Sequence, residues 1–308
     1  MPDGENRAQV RPKRRRPSPS RRSGHQKTGK ARFDDIYDRP DPRPYFRALS
    51  EFGYEVPAHA QVVFQRLVDA RRFHHRNDDI AVLDLCCSYG TNAALLNHEV
   101  TLGTLYDRYC SDEVTGWSSE ELVRSDRKFF ASRRRGRTVR VFGLDAASSA
   151  VRYAERAGLL VRGWNQNLEA EHPDPDLEQG LSDVDLVTAT GCVGYITDQT
   201  FDRVLSAVGS DLPPWVAVFA LRWVDFDPIE KIMKQHGLLT EKYSVRTFPQ
   251  RRFTDDEERS YVLGELERLG IDPAGRETDG RYHTDLYVAR PASDTTELPL
   301  CELLKGVG

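Results

Sequence analysis

Residues 81–90 read Ala-Val-Leu-Asp-Leu-Cys-Cys-Ser-Tyr-Gly, and this stretch decides the fold. An apolar run from Ile80 to Leu85, broken only by Asp84, leads into small residues and Gly90. Thr91–Glu99 then carries a helical pattern. A short apolar run bounded by a turn predicts a strand buried on both faces of a parallel sheet. Strand, tight turn and helix make the front half of a nucleotide-binding βαβ unit. Small residues in the turn let a ligand approach the backbone. The helix N-terminus beyond it offers N–H groups and partial positive charge.

The same alternation continues outward. Val139–Leu144, Leu159–Gly163, Val184–Ala189 and the unbroken apolar Trp215–Leu221 read as further strands. Between them, Ser148 or Ser149 opens a helix with Val151, Ala154 and Leu159 inward and Gly158 closing it. Thr197 or Asp198 caps another, with Phe201, Val204, Leu205 and Val208 on one face. Asp227-Pro228 opens the next, with Ile229, Ile232 and Met233 inward and Gly237 stopping it. Tyr243–Phe248 has a strand pattern, Thr254-Asp-Asp-Glu257 reads as a capping box for a helix to Leu269, and His283–Ala289 reads as the last strand. An irregular tail is expected from Pro291 on. Alternating strands and helices predict an α/β, doubly wound, mostly parallel sheet with its ligand at the carboxyl ends of the strands.

Asp145 stands at the end of the second strand, where a carboxylate can accept from both hydroxyls of a ribose. It lies 55 residues beyond Gly90, against about 20 in the simplest dinucleotide folds. An insertion over residues 110–138 accounts for the difference. Ser118-Ser119-Glu120-Glu121 has the acids of a first helical turn, and Gly136 ends the segment.

Ahead of the sheet, residues 33–78 read as a helical segment. Tyr45–Phe52 and Ala58–Phe73 are its helices, with Val62, Val63, Phe64, Leu67 and Val68 as an apolar face. That core is too small to stand alone and must pack on the main domain, residues 79–291. Residues 1–32 hold eleven Lys and Arg against two acids, and residues 33–308 hold 33 basic against 46 acidic side chains. A net +9 tail of low apolar content is expected to be disordered. The −13 remainder argues against an extended phosphate-binding track, so nucleic acid is not the expected partner. No run of eighteen apolar residues is present and the N-terminus lacks a secretory apolar core, which predicts no membrane span. Five scattered cysteines fit a reducing cytoplasm, and their spacing offers no zinc site.

Val82-Leu-Asp-Leu-x-x-x-x-Gly90 resembles the first motif of class I S-adenosylmethionine (SAM) methyltransferases, Val-Leu-Asp-Leu-Gly-Cys-Gly-x-Gly. Cys86 and Ser88 replace its first two glycines. Gly143-Leu-Asp145-Ala-Ala-Ser resembles the second motif, and Thr190-Gly-Cys-Val-Gly-Tyr195 the fourth, which borders the transferable methyl. Asn167-Leu168 stands where an Asp or Asn and an apolar residue meet adenine, with Asn165 offering a second register. The resemblance implies a seven-stranded Rossmann-like sheet and SAM as cofactor. It assigns cofactor contacts to Asp84, Cys86, Ser88, Gly90, Asp145, Asn167, Leu168, Thr190 and Gly191. It also implies a helical lid from the N-terminal segment, with Tyr37, Tyr45, Tyr54 and His59 as candidates. Tyr195 or His59 is the candidate base where one is needed. No Asn-Pro-Pro-Tyr run is present, and a small-molecule acceptor attacked at O, N or C is the expectation. Three other readings stay open: a nicotinamide oxidoreductase, disfavoured by the missing Gly-x-Gly-x-x-Gly; an RNA methyltransferase using the tail; and a non-catalytic SAM-binding protein. The sequence sets neither the acceptor nor the oligomeric state.

Overall fold

The computed structural model describes residues 34–76, 78–209 and 213–307. The basic tail lies outside them. Three helices precede the sheet: α1 (Asp34–Tyr37), α2 (Arg43–Glu51) and α3 (Val56–His75). Then follow β1 (Ala81–Leu85), α4 (Thr91–Asn97), α5 (Leu102–Cys110), α6 (Ser119–Ala131), β2 (Arg140–Leu144), α7 (Ser148–Arg156) and β3 (Arg162–Trp164). The middle of the chain forms α8 (Pro175–Leu181), β4 (Leu186–Thr190), α9 (Asp198–Ala207), β5 (Trp215–Leu221) and α10 (Asp227–Gln235). It closes with β6 (Leu238–Lys242), β7 (Phe248–Arg252), α11 (Asp256–Arg268), β8 (Arg281–Pro291), α12 (Ala292–Glu297) and α13 (Leu300–Leu303).

The sheet runs β3-β2-β1-β4-β5-β8-β6, with β7 also on β8. The first five strands are parallel, and β8 is antiparallel to each of its partners. The eleven-residue β8 is long enough to carry two short strands on one edge, β7 against its first half and β6 against its second. The seven positions expected thus hold eight strands. Along β1 the side chains alternate: Val82 packs with Phe64, Leu95 and Val141 on one face, Leu83 with Phe142, Val187 and Phe201 on the other. Both faces are covered, which is why β1 reads as an apolar run rather than an alternating one.

Several boundaries differ from the expectation, each for a local reason. The helical pattern after β1 breaks at His98, which is extended, and Thr101 starts α5 with its own capping box. The third strand is Arg162–Trp164 rather than Leu159–Gly163, because Leu159 closes the turn beyond α7. Of Tyr243–Phe248, residues 243–247 form the connection between β6 and β7, and Phe248 begins β7. Edge strand β6 was hidden by one-sided burial, Leu239 being 52% exposed, and β7 by its proline. Asp255 caps α11 in place of Thr254, since Glu258, not Glu257, reaches back to the Thr254 N–H. Val62, expected on the inner face of α3, is 45% exposed. The segment after Pro291 is not irregular: prolines 291 and 299 precede α12 and α13, and Leu300, Leu304 and Val307 join the core.

Candidate active site

A cavity of about 430 Å³ opens at the carboxyl ends of β1, β2 and β4, within the ~300–1,000 Å³ typical of small-molecule sites. Leu85, Cys86 and Ser88 line it from β1, Leu144 and Asp145 from β2, Thr190 and Gly191 from β4.

The turn after β1 has an unusual backbone. Cys86 and Ser88 have φ of +55° and +48°, the left-handed region that glycine enters freely. A side chain there costs roughly 1–2 kcal/mol per residue. These are the two positions where the motif that the turn resembles has glycine, and here Cys and Ser take the positive φ. Asp145 holds it: Oδ2 accepts from the Ser88 N–H at 2.8 Å and Oδ1 from the Ala147 N–H at 2.8 Å. The acid at the end of β2 therefore ties the turn after β1 to the start of α7. Burial pushes its pKa up, opposed by these backbone N–H groups. Ser88 Oγ is buried and has no hydrogen-bond partner among the described residues.

Beyond β3, residues 165–171 form the wall next to Asp145. Asn165 Nδ2 donates to the Asp145 and Ala146 carbonyls at 3.0 and 2.7 Å. Asn167 and Leu168 both line the cavity, although Asn167 Oδ1 already accepts from the Glu169 N–H at 3.0 Å. Glu169 accepts from Thr197 and Thr200, and Arg203 donates to the Leu168 carbonyl, which fixes this wall to α9.

Three of the assigned residues are not on the lining. Asp84 lies beneath it, its carboxylate accepting from Asn92 at 3.0 and 3.2 Å and from Thr188 at 2.8 Å. Burial raises its pKa to about 7 against the pull of those two donors. Asn92 also donates to Thr190 Oγ1 at 3.2 Å, so Asp84 supports the lining through one intermediary. Gly90, with φ +78°, is a packing glycine: a Cβ on it would sit 3.2 Å from Ala154 and Leu159. His59 lies beside Phe248 and Arg246, and burial followed by the Arg246 charge lowers its pKa. Tyr195 does line the cavity and is 44% exposed, at the mouth.

The N-terminal segment closes the other end. Tyr37, Tyr45, Leu49 and Tyr54 face the cavity from α1, α2 and the α2–α3 turn. The turn is pinned to β7: Glu55 N–H donates to the Gln250 carbonyl at 2.7 Å, and Arg252 N–H donates to the Phe52 carbonyl at 2.8 Å. Arg281 pairs with the Glu55 carboxylate. Burial raises the pKa of Tyr37 well above the usual phenol value, reinforced by Tyr45 and Tyr195, so it is a hydrogen donor at neutral pH. Residues 110–138, expected as an insertion, do not line the cavity. Their α6 packs behind α7, where Asp126 accepts from Tyr109, Tyr153 and Arg108.

Gln250 and Arg251 also line the cavity, and neither was expected there. They sit in Phe-Pro-Gln-Arg-Arg, which has neither strand alternation nor a motif.

No family model and no curated protein matches this chain. Among solved structures it is similar to a TehB-like SAM-dependent methyltransferase from Corynebacterium glutamicum, at 14% identity over 79% of this chain and 93% of that one, TM-score 0.38. Magnesium protoporphyrin IX methyltransferase from Synechocystis, with bound SAM, gives 13% identity over 74% and 79%, TM-score 0.35. Precorrin-6y C5,15-methyltransferase from Geobacter metallireducens gives 11% over 79% and 95%, TM-score 0.38. At these scores the likenesses carry no argument about activity. No described helix is long and apolar enough to cross a membrane.

Proposed function

We propose that this chain is a SAM-dependent methyltransferase acting on a small-molecule nucleophile. The observation that carries the reading is the turn at Cys86–Ser88. It has positive φ at the two positions where the motif it resembles has glycine, is tied to the acid at the end of β2, and leaves Ser88 Oγ without a partner among the described residues at the edge of the cavity. In this reading Cys86, Ser88, Asp145, Asn167, Leu168, Thr190 and Gly191 hold the cofactor. When bound, it supplies a methyl group made electrophilic by a sulfonium centre.

The chain's own contribution is orientation and exclusion of water. The described residues lining the cavity include no histidine, lysine or glutamate. Tyr37 holds its proton, and His59 lies off the lining. A nucleophile that needs no strong base suits this site. Tyr37, Tyr45 and Tyr54 keep the reacting end apolar, and Tyr195 stands where a released proton can pass to solvent.

Calorimetry tests the cofactor directly. SAM and S-adenosylhomocysteine should bind the purified chain and NAD should not. NAD binding with no response to S-adenosylhomocysteine would sink the proposal.

A further inference from the structure

Gln250 is 2% exposed, lines the cavity, and its Oε1 has no hydrogen-bond partner among the described residues. A buried amide oxygen left unpaired is destabilising. The Gln250 backbone carbonyl does the anchoring, by accepting from Glu55. The amide lies over the end of β4. A Cβ on Gly191 would overlap Gln250 Nε2, so this glycine, at φ +69°, makes the room that the amide occupies.

The surroundings define what such an amide can receive. Tyr37 and Tyr45 meet edge to face, with ring centroids 5.6 Å apart, and Tyr54, Leu49 and Tyr195 complete the wall. Arg251 is the charged neighbour, and Glu258 takes both of its terminal nitrogens, at 3.0 and 2.6 Å. The acids on the lining, Asp38 and Asp145, are both engaged by backbone N–H groups, from Ser149 for one and from Ser88 and Ala147 for the other. Asp145 ends β2, two strand positions from β4, or roughly 10 Å. Glu258 already neutralises the guanidinium, so an anion would have to displace Glu258 and a cation would have to displace Arg251. A flat, uncharged ring with one protic group fits the aromatic wall and the amide together.

We propose that Gln250 is the recognition residue of a methyl-acceptor subsite that takes a neutral planar aromatic compound carrying an O–H or N–H. The inference rests on the methyltransferase reading and adds the acceptor class to it. Gln250 holds the protic group by its hydrogen; it does not remove the proton.

The test uses the full chain saturated with S-adenosylhomocysteine, with 2-naphthol and 2-methoxynaphthalene as probes followed by fluorescence. 2-Naphthol should bind at least about ten-fold tighter than the ether, because a buried polar group penalises the analogue that cannot pair with it. Gln250→Met should abolish that preference while leaving ether and S-adenosylhomocysteine affinities within about two-fold. 2-Naphthoate and 2-naphthylmethylammonium should bind more weakly than 2-naphthol. Four results would overturn the proposal: no binding of 2-naphthol, equal binding of naphthol and ether, tighter binding of either charged probe, or a preference unchanged in Gln250→Met. Reduced S-adenosylhomocysteine affinity in Gln250→Met would put the residue in the cofactor half and overturn it too. Failure of S-adenosylhomocysteine to bind the wild type is a separate outcome, which sinks the methyltransferase reading itself.

Discussion

The two ends of the cavity are wired differently. At the β2 end the polar groups other than Ser88 Oγ are engaged within the protein: Asp145 by Ser88 and Ala147, Asn165 by two carbonyls, Asn167 by Glu169. At the β4 and β7 end the wall is aromatic and one buried amide oxygen is left without a partner. The first end is a rigid frame of loops after parallel strands, where a ligand meets groups already in place. The second is assembled from helices and an antiparallel edge, and its polarity is incomplete until a ligand arrives. On the proposed reading, the first end holds the cofactor and the second leaves selection of the acceptor to a few side chains.

The comparison can be broken most severely at Asp145. Its carboxylate makes two charge-assisted hydrogen bonds to the frame, each worth about 1.5–3 kcal/mol. Asp145→Ala should lower unfolding free energy by about 2 kcal/mol or more and weaken S-adenosylhomocysteine binding at least ten-fold, since ~1.4 kcal/mol is a factor of ten. Urea unfolding and calorimetry on the same preparation check both. Unchanged affinity with reduced stability would make Asp145 a brace and nothing more.

Gly143→Ala probes the frame from below. The added Cβ would lie 2.6 Å from Cys87 Sγ and 2.7 Å from Leu160. Overpacking of this kind costs about 1–3 kcal/mol, and the strain falls on the turn that carries Cys86 and Ser88. A several-fold loss of S-adenosylhomocysteine affinity is expected, with 2-naphthol affinity unchanged in the cofactor-saturated chain. Equal losses for both ligands would erase the distinction between the two ends.

Asp84 sits under the junction of the ends. The folded chain holds its proton up to about pH 7, whereas an unfolded aspartate releases it near pH 4. Between those values the unfolded state binds fewer protons, so stability falls as pH rises, by up to about 1.4 kcal/mol per pH unit, and levels off above 7. The stability difference between wild type and Asp84→Asn should follow that slope from pH 4.5 to 7.5. A difference flat across the range would mean the carboxylate is ionised throughout.

The smallest effect belongs to His59. It lies off the lining, so His59→Ala should leave both ligand affinities within experimental error, as titration would show. A loss of 2-naphthol binding would extend the acceptor end to α3.

The framework was legible because it depends on local runs. Ala81–Leu85 is apolar but for Asp84 and Trp215–Leu221 is apolar throughout, the pattern of a strand covered on both faces. Asp145 was also visible, as an acid at a strand end. Its bond to Ser88 was not, since the partner lies 57 residues away and nothing in either segment names the other. Gln250 is the harder case. Its position depends on three distant features: a proline-containing edge strand, a glycine after β4 and a turn before α3. The sequence shows each as unremarkable, and only tertiary packing gives them a joint meaning.

The pinning of residues 52–55 to β7 has a consequence for how the molecule is made. The tyrosines leave the ribosome first, but the strand that anchors their turn lies some 200 residues later, and β8 must arrive before β7 has an edge to join. In a chain emerging from its N-terminus, β1–β5 and Asp145 precede β7 and β8, the strands that complete the other end. The part of the pocket that chooses its substrate is then the last to exist. On the methyltransferase reading, a nascent chain that ends before β7 lacks the end that would select the acceptor.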